Sequence, residues 1–255
     1  MPLHFLGHRA RWAVVAVLAL VVGIFIFDWL YPEQAILPVS AQKRLVPIYK
    51  VDTERQAVAI SFDASWGAEY TLDILNTLDA YGIKSTFFLV NIWLQDYPDL
   101  AKEIVARGHE IGLHSESHPH FTSLSGEQMK EEVTSNAEMV RQVTGYDSKL
   151  FRPPFGDYDN RVMRTVEDLG YQVIQWSVDS LDWRNLSADE ITARVLKKIG
   201  PGDIVLFHNN GLHTAEALPG ILTQLKEKGL EVIPISELIY SGDCYTDQDG
   251  VQHRK

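Results

Sequence analysis

Disulfide bonding is the first thing this chain cannot do. It holds one cysteine, Cys244, in 255 residues, so no intrachain bridge is possible. That excludes a stapled small-domain fold. It leaves export open, because a large core needs no staple. Cys244 lies in a polar C-terminal stretch and reads as an inert exposed thiol. Positive charge is also scarce: 23 Lys and Arg face 34 Asp and Glu, for a net charge of −11. Nucleic-acid binding requires clustered Lys and Arg to neutralise phosphates, so that class of partner is excluded. The acidic balance suits a protein handling uncharged or amino-bearing substrates. No internal repeat, low-complexity segment or protein-partner signal stands out. With 45% apolar residues the chain can bury one sizeable core, and single α/β barrels commonly reach this length.

One long hydrophobic run is present. Residues 12–27 are apolar apart from Gly23, with His8, Arg9 and Arg11 before them and Trp29, Leu30 and Tyr31 close behind. A helix of about 20 apolar residues spans the hydrocarbon core of a bilayer. The apolar part of a cleaved signal peptide is about 7–15 residues long. Length favours an uncleaved signal anchor, and so does the distance to the small-residue site Val39-Ser-Ala41. Basic residues on the short side put the N-terminus in the cytoplasm and the rest outside. The expected organisation is a cytoplasmic N-terminus and transmembrane anchor over 1–31 and a proline-bearing linker over 32–50. An α/β domain over 51–240 and a polar tail over 241–255 follow.

From residue 58 onward, short apolar runs alternate with longer amphipathic ones. Strands are expected over 58–62, 85–90, 110–113, 149–151, 172–176, 203–207 and 231–233. Helices are expected over 69–81, 98–107, 126–143, 160–169, 188–199 and 215–228, several of them stopped by a glycine. Such alternation implies a parallel sheet with helices outside it, closed into a barrel or left as an open doubly wound sheet.

Chemistry-bearing residues gather at the strand ends. His114-Ser-Glu-Ser-His118 offers two imidazoles four residues apart, a usual seed for a zinc-class site. Gly112 and Pro119 argue against a helix there, so this is not the helical pair of metalloproteases. Four further stretches end or follow apolar runs: Ser61-Phe-Asp-Ala-Ser-Trp-Gly67, Arg152-Pro-Pro-Phe-Gly156, Asp179-Ser-Leu-Asp-Trp183 and Leu206-Phe-His208. Asp63, His114, Arg152, Asp179 and His208 all fall at or just past C-terminal strand ends. A barrel collects side chains from many strands around one centre on that face, whereas an open sheet concentrates them at a switch point. Five contributing strands favour the barrel.

Taken in order, the five stretches resemble the signature of the polysaccharide deacetylases, carbohydrate esterase family 4, across residues 58–208. The resemblance implies an incomplete seven-stranded (β/α) barrel that removes N-acetyl groups from an N-acetylhexosamine polymer. It implies a divalent metal, zinc by ligand type, held by His114 and His118, with Ser115 fixing their loop. Asp63 matches the general base, oriented by Arg152. His208 matches the general acid, with Asp179 as the carboxylate that raises its basicity and Asp182 as a residue orienting Trp183. The backbone N–H of Phe155 would face the oxyanion, and Phe155, Trp183 and Leu206 would wall the acetyl and sugar face. Trp66, Trp93, Trp176 and His213 are further candidates that core or rim packing explains equally well.

One position departs from the family pattern. A second aspartate usually follows the base and binds metal; here that residue is Ala64. Glu116, Glu69 or an extra water would have to replace it. The Asp-Ala-Ser-Trp-Gly form is similar to sporulation-type members. Peptidoglycan is the expected substrate, with chitin-type oligomers second. An envelope glycan-binding protein with impaired catalysis is the rival. A glycoside hydrolase using Asp63 and Asp179 would have no need of the histidines. The anchor is directly testable. The full chain should partition with membranes, its C-terminal domain open to added protease from outside. A mature chain beginning near Gln42 would identify the segment as a cleaved signal instead.

Overall fold

The structure, a computed structural model, describes residues 7–30 and 43–255. The chain divides into two units, Met1–Lys43 and Arg44–Lys255. In the first, α1 (His8–Leu30) is a 23-residue helix, and every residue over 12–23 is exposed. Over the residues whose side chains are described, no helix is long and apolar enough to cross a membrane. The rest of the expected anchor and linker, residues 1–6 and 31–42, falls outside the described residues.

The second unit holds β1 (Lys50–Val51), β2 (Ala57–Ala64), α2 (Thr71–Ala80), β3 (Thr86–Leu89), α3 (Asn91–Asp96), α4 (Pro98–Ala106) and β4 (Glu110–Leu113). Next come α5 (Gly126–Thr144), β5 (Leu150–Phe151), α6 (Asn160–Asp168), β6 (Gln172–Val173), β7 (Val178–Asp179), α7 (Ala188–Lys198) and β8 (Ile204–His208). The chain ends with α8 (Thr214–Glu227), β9 (Glu231–Val232), α9 (Ile235–Leu238), β10 (Cys244–Thr246) and β11 (Val251–Arg254). Seven parallel strands are hydrogen-bonded in the order β6-β5-β4-β3-β2-β8-β7, with β9 added beside the start of β2. Strands β6 and β7 terminate this path, so the curled sheet is an incomplete barrel, as the family resemblance implies.

The period of two along each strand sorts side chains between two cores. Val58, Ile60, Phe62 and Ala64 join Phe87, Leu89, Ile111, Leu113, Val205 and Phe207 in the helix-side core. Ala57, Ala59, Phe88, Ile174 and Ile204 form a separate core together with Ile48, Val51 and Ile235. The alternate positions of β2, β3 and β8, ending at Asp63 and His208, therefore face away from the helix-side core. Helix α5 begins with a capping box between Ser125 and Gln128 and ends at Gly145, whose φ of 72° closes the last turn.

Two expectations need correction. The stretch 241–255 is not a free polar tail: β10 and β11 form an antiparallel hairpin, and β11 pairs in parallel with β1. Gln252, 2% exposed, bonds both the N–H and the carbonyl of Tyr240 through its side-chain amide. Residues 44–50, expected as linker, belong to the barrel unit, with Ile48 buried and bridged to Ile174. Helices α3 and α9, six and four residues long, also lie outside the expected set, because so few turns leave no amphipathic period to read.

Gly112 shows how tightly the barrel is filled. A Cβ there would lie 2.3 Å from the Phe88 ring, in the middle of β4. Gly112→Ala should therefore force Phe88 aside and destabilise the fold by about 1–3 kcal/mol, the usual cost of overpacking. Denaturant unfolding measures it, and an unchanged midpoint would contradict this account.

Candidate active site

The site grows from the ends of neighbouring strands. Asp63, near the end of β2, is in register with Phe88 on β3 and His208 on β8. Leu113 and Phe151 are paired across β4 and β5, so His114 and Arg152 leave their strands side by side. Arg152 is fully buried. Its Nη1 donates to Asp63 Oδ1 at 2.7 Å and its Nη2 to the Gln175 carbonyl at 3.2 Å. Its guanidinium carbon lies 4.0 Å from the centre of the Phe88 ring, within cation–π range.

The two histidines are prepared for a cation. The Arg152 carbonyl can only accept, so the 2.7 Å contact makes His114 Nδ1 the protonated nitrogen. His114 Nε2 keeps its lone pair and lies 3.5 Å from Asp63 Oδ2. The His118 ring sits 5.0 Å from that of His114, and its Nδ1 is buried without a partner. Burial lowers the pKa of both imidazoles, His118 to about 4, and their mutual proximity lowers it further at His118. Both rings are thus neutral near pH 7, the form that binds metal. An orphaned ring nitrogen beside a free lone pair fits a zinc-class cation. Among the described residues no three His, Cys, Asp or Glu side chains converge as a ligand set. Glu116 and Glu69 do not complete one: the Glu69 carboxylate folds back towards Gly67, and Ala64 is buried in the helix-side core.

The acid side of the site differs from expectation. His208 Nδ1 donates to Asp182 Oδ1 at 2.8 Å, so its hydrogen-bonded carboxylate is Asp182, not Asp179. Asp182 is fully buried and also accepts from the His208 N–H at 2.7 Å and the Thr214 hydroxyl at 2.6 Å. Asp179 accepts from the Leu181 N–H at 2.8 Å and organises the turn after β7. Leu181 stands at φ 56°, and that left-handed residue turns the chain into the short helix carrying Asp182. An aspartate bonding the amide two residues on is the mark of an Asx turn, which accounts for the different placing of these two aspartates.

Electrostatics set Asp63 and His208 apart. Burial pushes the Asp63 pKa up, but Arg152, His114 and His208 outweigh it and hold the carboxyl below its usual range. Burial pulls His208 down, yet the hydrogen bond and charge of Asp182, helped by Asp63 and Asp179, leave it raised. The site therefore pairs an ionised carboxylate with an imidazole biased towards protonation.

The aromatic residues divide by exposure. Phe155 and Trp183 are exposed, and Phe155 adopts φ 59°. Trp66, also exposed, and Phe155 both present edges to the His118 ring, at 4.8 and 4.5 Å between centres. Leu206 is buried and backs the site from within β8. Trp93 is a core residue whose indole donates to the Gly67 carbonyl at 2.7 Å. Trp176 lies 5.5 Å from the Arg152 guanidinium, and His213 pairs with Glu216 at the start of α8.

Residues 50–174 match the family model described as polysaccharide deacetylase. A peptidoglycan-N-acetylglucosamine deacetylase of Bacillus cereus is 33% identical over 75% of this chain and 92% of its own length. The chain belongs to the polysaccharide deacetylase family. Another relative of this family, the Bacillus subtilis uncharacterized protein YlxY, is 34% identical over 76% of this chain, which spans 60% of it. Among solved family structures, Bacillus anthracis BA3943, described as a CE4 family pseudoenzyme, superposes with a TM-score of 0.74 at 33% identity. That match covers 82% of this chain and 73% of BA3943.

Asp182 gives this site its clearest pH test. Asp182→Asn removes the hydrogen-bonded charge that opposes burial, so the His208 pKa should fall. Proton NMR titration of the His208 ring measures this directly. Asp179→Asn should move it less; a larger move with Asp179 would reverse the assignment.

Proposed function

We propose that this chain is a metal-dependent N-deacetylase of N-acetylhexosamine polymers, peptidoglycan foremost, held at the cell membrane with its barrel outside. The observation that carries the reading is the pairing of Asp63 and His208 across adjacent strands. Two titratable groups pushed apart in pKa are the usual mark of a base and an acid. The B. cereus relative supports peptidoglycan as the substrate class. The 23-residue α1, which carries Arg9 and Arg11 at its start and the apolar run after them, supports the anchor.

His114 and His118 would hold the cation, which supplies Lewis acidity towards the acetyl carbonyl and acidifies a water. Asp63 Oδ1 is engaged by Arg152, so Oδ2, on the histidine side, is the atom that takes the proton from the attacking water. Arg152 keeps that carboxylate ionised and fixed. His208 is anchored through Nδ1 by Asp182, which leaves Nε2–H to protonate the departing amine. Water adds to the carbonyl carbon, the C–N bond breaks, and acetate and a free amine leave. The Phe155 N–H, in a turn held at positive φ, is the candidate dipole for the oxyanion. Phe155, Trp183 and Trp66 offer exposed apolar faces to the sugar.

A second reading, glycan binding with impaired catalysis, draws on Ala64 and on the likeness to a described pseudoenzyme. Metal analysis together with acetate release from peptidoglycan fragments separates the two. The enzyme reading expects both bound metal and acetate. Asp63→Asn should abolish release and leave the metal bound, and His208→Ala should slow release by about 10²–10⁴-fold. Stoichiometric metal and tight glycan binding without any acetate would establish the second reading.

A further inference from the structure

Both imidazoles of the site ride on a segment the backbone does not favour. Between His114 and His118, Ser115 sits at φ 79° and His118 at φ 58°, two non-glycine residues in the left-handed region. One backbone bond reaches the segment, from the Asn91 N–H at the start of α3 to the Ser115 carbonyl at 3.3 Å. Four of its five amides are instead taken by side chains: those of His114, Glu116, Ser117 and His118. The last is internal, from His118 N–H to Ser115 Oγ at 2.9 Å. The other three all go to α5.

Glu132 does most of this. Its Oε2 accepts from the Glu116 N–H at 2.9 Å and the Ser117 N–H at 2.8 Å, and its Oε1 accepts from the Ser117 hydroxyl. One turn further along α5, Asn136 is fully buried and accepts from the His114 N–H at 2.9 Å. Its amide nitrogen donates to the Leu89 carbonyl at 3.0 Å and to Asn91 Oδ1 at 2.8 Å. The helix thus grips the segment at its first residue and at its middle, leaving the His118 ring to be set by the turn that follows.

We propose that Glu132 is a positioning residue of the metal site. It holds the strained His114–His118 segment in the one form that keeps both imidazoles facing a shared cation. Asn136 supplies the second grip, and the proposal rests on the histidine pair being the metal site. With Ala64 in place of a carboxylate, no third acidic ligand pulls the histidines together, so their spacing depends on what holds their backbone. A clasp serving only stability would act differently. Its loss would lower the melting temperature of the metal-free protein and leave metal affinity alone.

The test is zinc titration of the full chain in detergent, with melting of the metal-free protein measured alongside. Glu132→Ala should weaken zinc binding by about 10–100-fold, the usual effect of a residue that orients ligands. Glu132→Gln keeps one acceptor oxygen for the two amides and should restore most of the affinity. Parent-like affinity in Glu132→Ala, with or without a lower melting temperature, overturns the proposal. Equal loss in both variants also overturns it, in favour of a through-space effect of the charge. A parent that binds no zinc, or His118→Ala binding it as the parent does, overturns the metal reading itself and this proposal with it.

Discussion

The buried ion pair between Arg152 and Asp63 is the constraint from which the rest of the site follows. Removing one partner of such a pair typically costs about 3–5 kcal/mol, because the other charge is left buried and unpaired. Here the same arginine does more than neutralise. Its side chain keeps Asp63 ionised against burial, while its carbonyl fixes the His114 tautomer that leaves Nε2 free. Its guanidinium lies over Phe88, whose ring fills the space that a Cβ on Gly112, one strand away, would need. Asp63, His114 and the barrel packing are thus joined through one residue, and a change at any of the three reaches the others.

His208 is governed by the opposite logic. It lies next to Asp63 in strand register, and each of the two favours the charged form of the other. The buried Asp182 adds to this by supporting the imidazolium through Nδ1, its second oxygen satisfied by Thr214 and the His208 amide. Each reactive group therefore has a fixed partner facing away from the other: Arg152 behind the carboxylate, Asp182 behind the imidazole.

Much of this was legible in the sequence because strand ends place residues predictably. The apolar runs over 58–62, 110–113 and 203–207 fix which residues emerge at the barrel's C-terminal face, and the order of the motifs names the fold. The misses share one cause. Asp179 and Asp182 are three residues apart on a turn, where one left-handed residue, Leu181, decides which carboxylate faces His208. The C-terminal hairpin pairs short polar strands with β1, so no apolar alternation marks it. Glu132 and Asn136 lie on an amphipathic helix whose pattern reports only its buried face. Contacts made by single polar side chains across long separations leave no periodic trace.

Ala64 ties these levels together. Along β2 the alternation puts Asp63 on one side of the sheet and Ala64 on the other, with Phe62 and Leu89 in the helix-side core. In this register a small apolar residue suits position 64, since an aspartate there would carry an unpaired charge into an apolar layer. The alanine is therefore consistent with its surroundings as packed, and the ligand set is correspondingly lean. A site with two imidazoles and no carboxylate as third protein ligand would keep more of the cation's charge unneutralised, which would strengthen it as a Lewis acid and weaken its hold on the protein. Under the proposed function, rigidity has to make up for what coordination does not supply. The strained, side-chain-bonded segment between His114 and His118 is where this fold provides it.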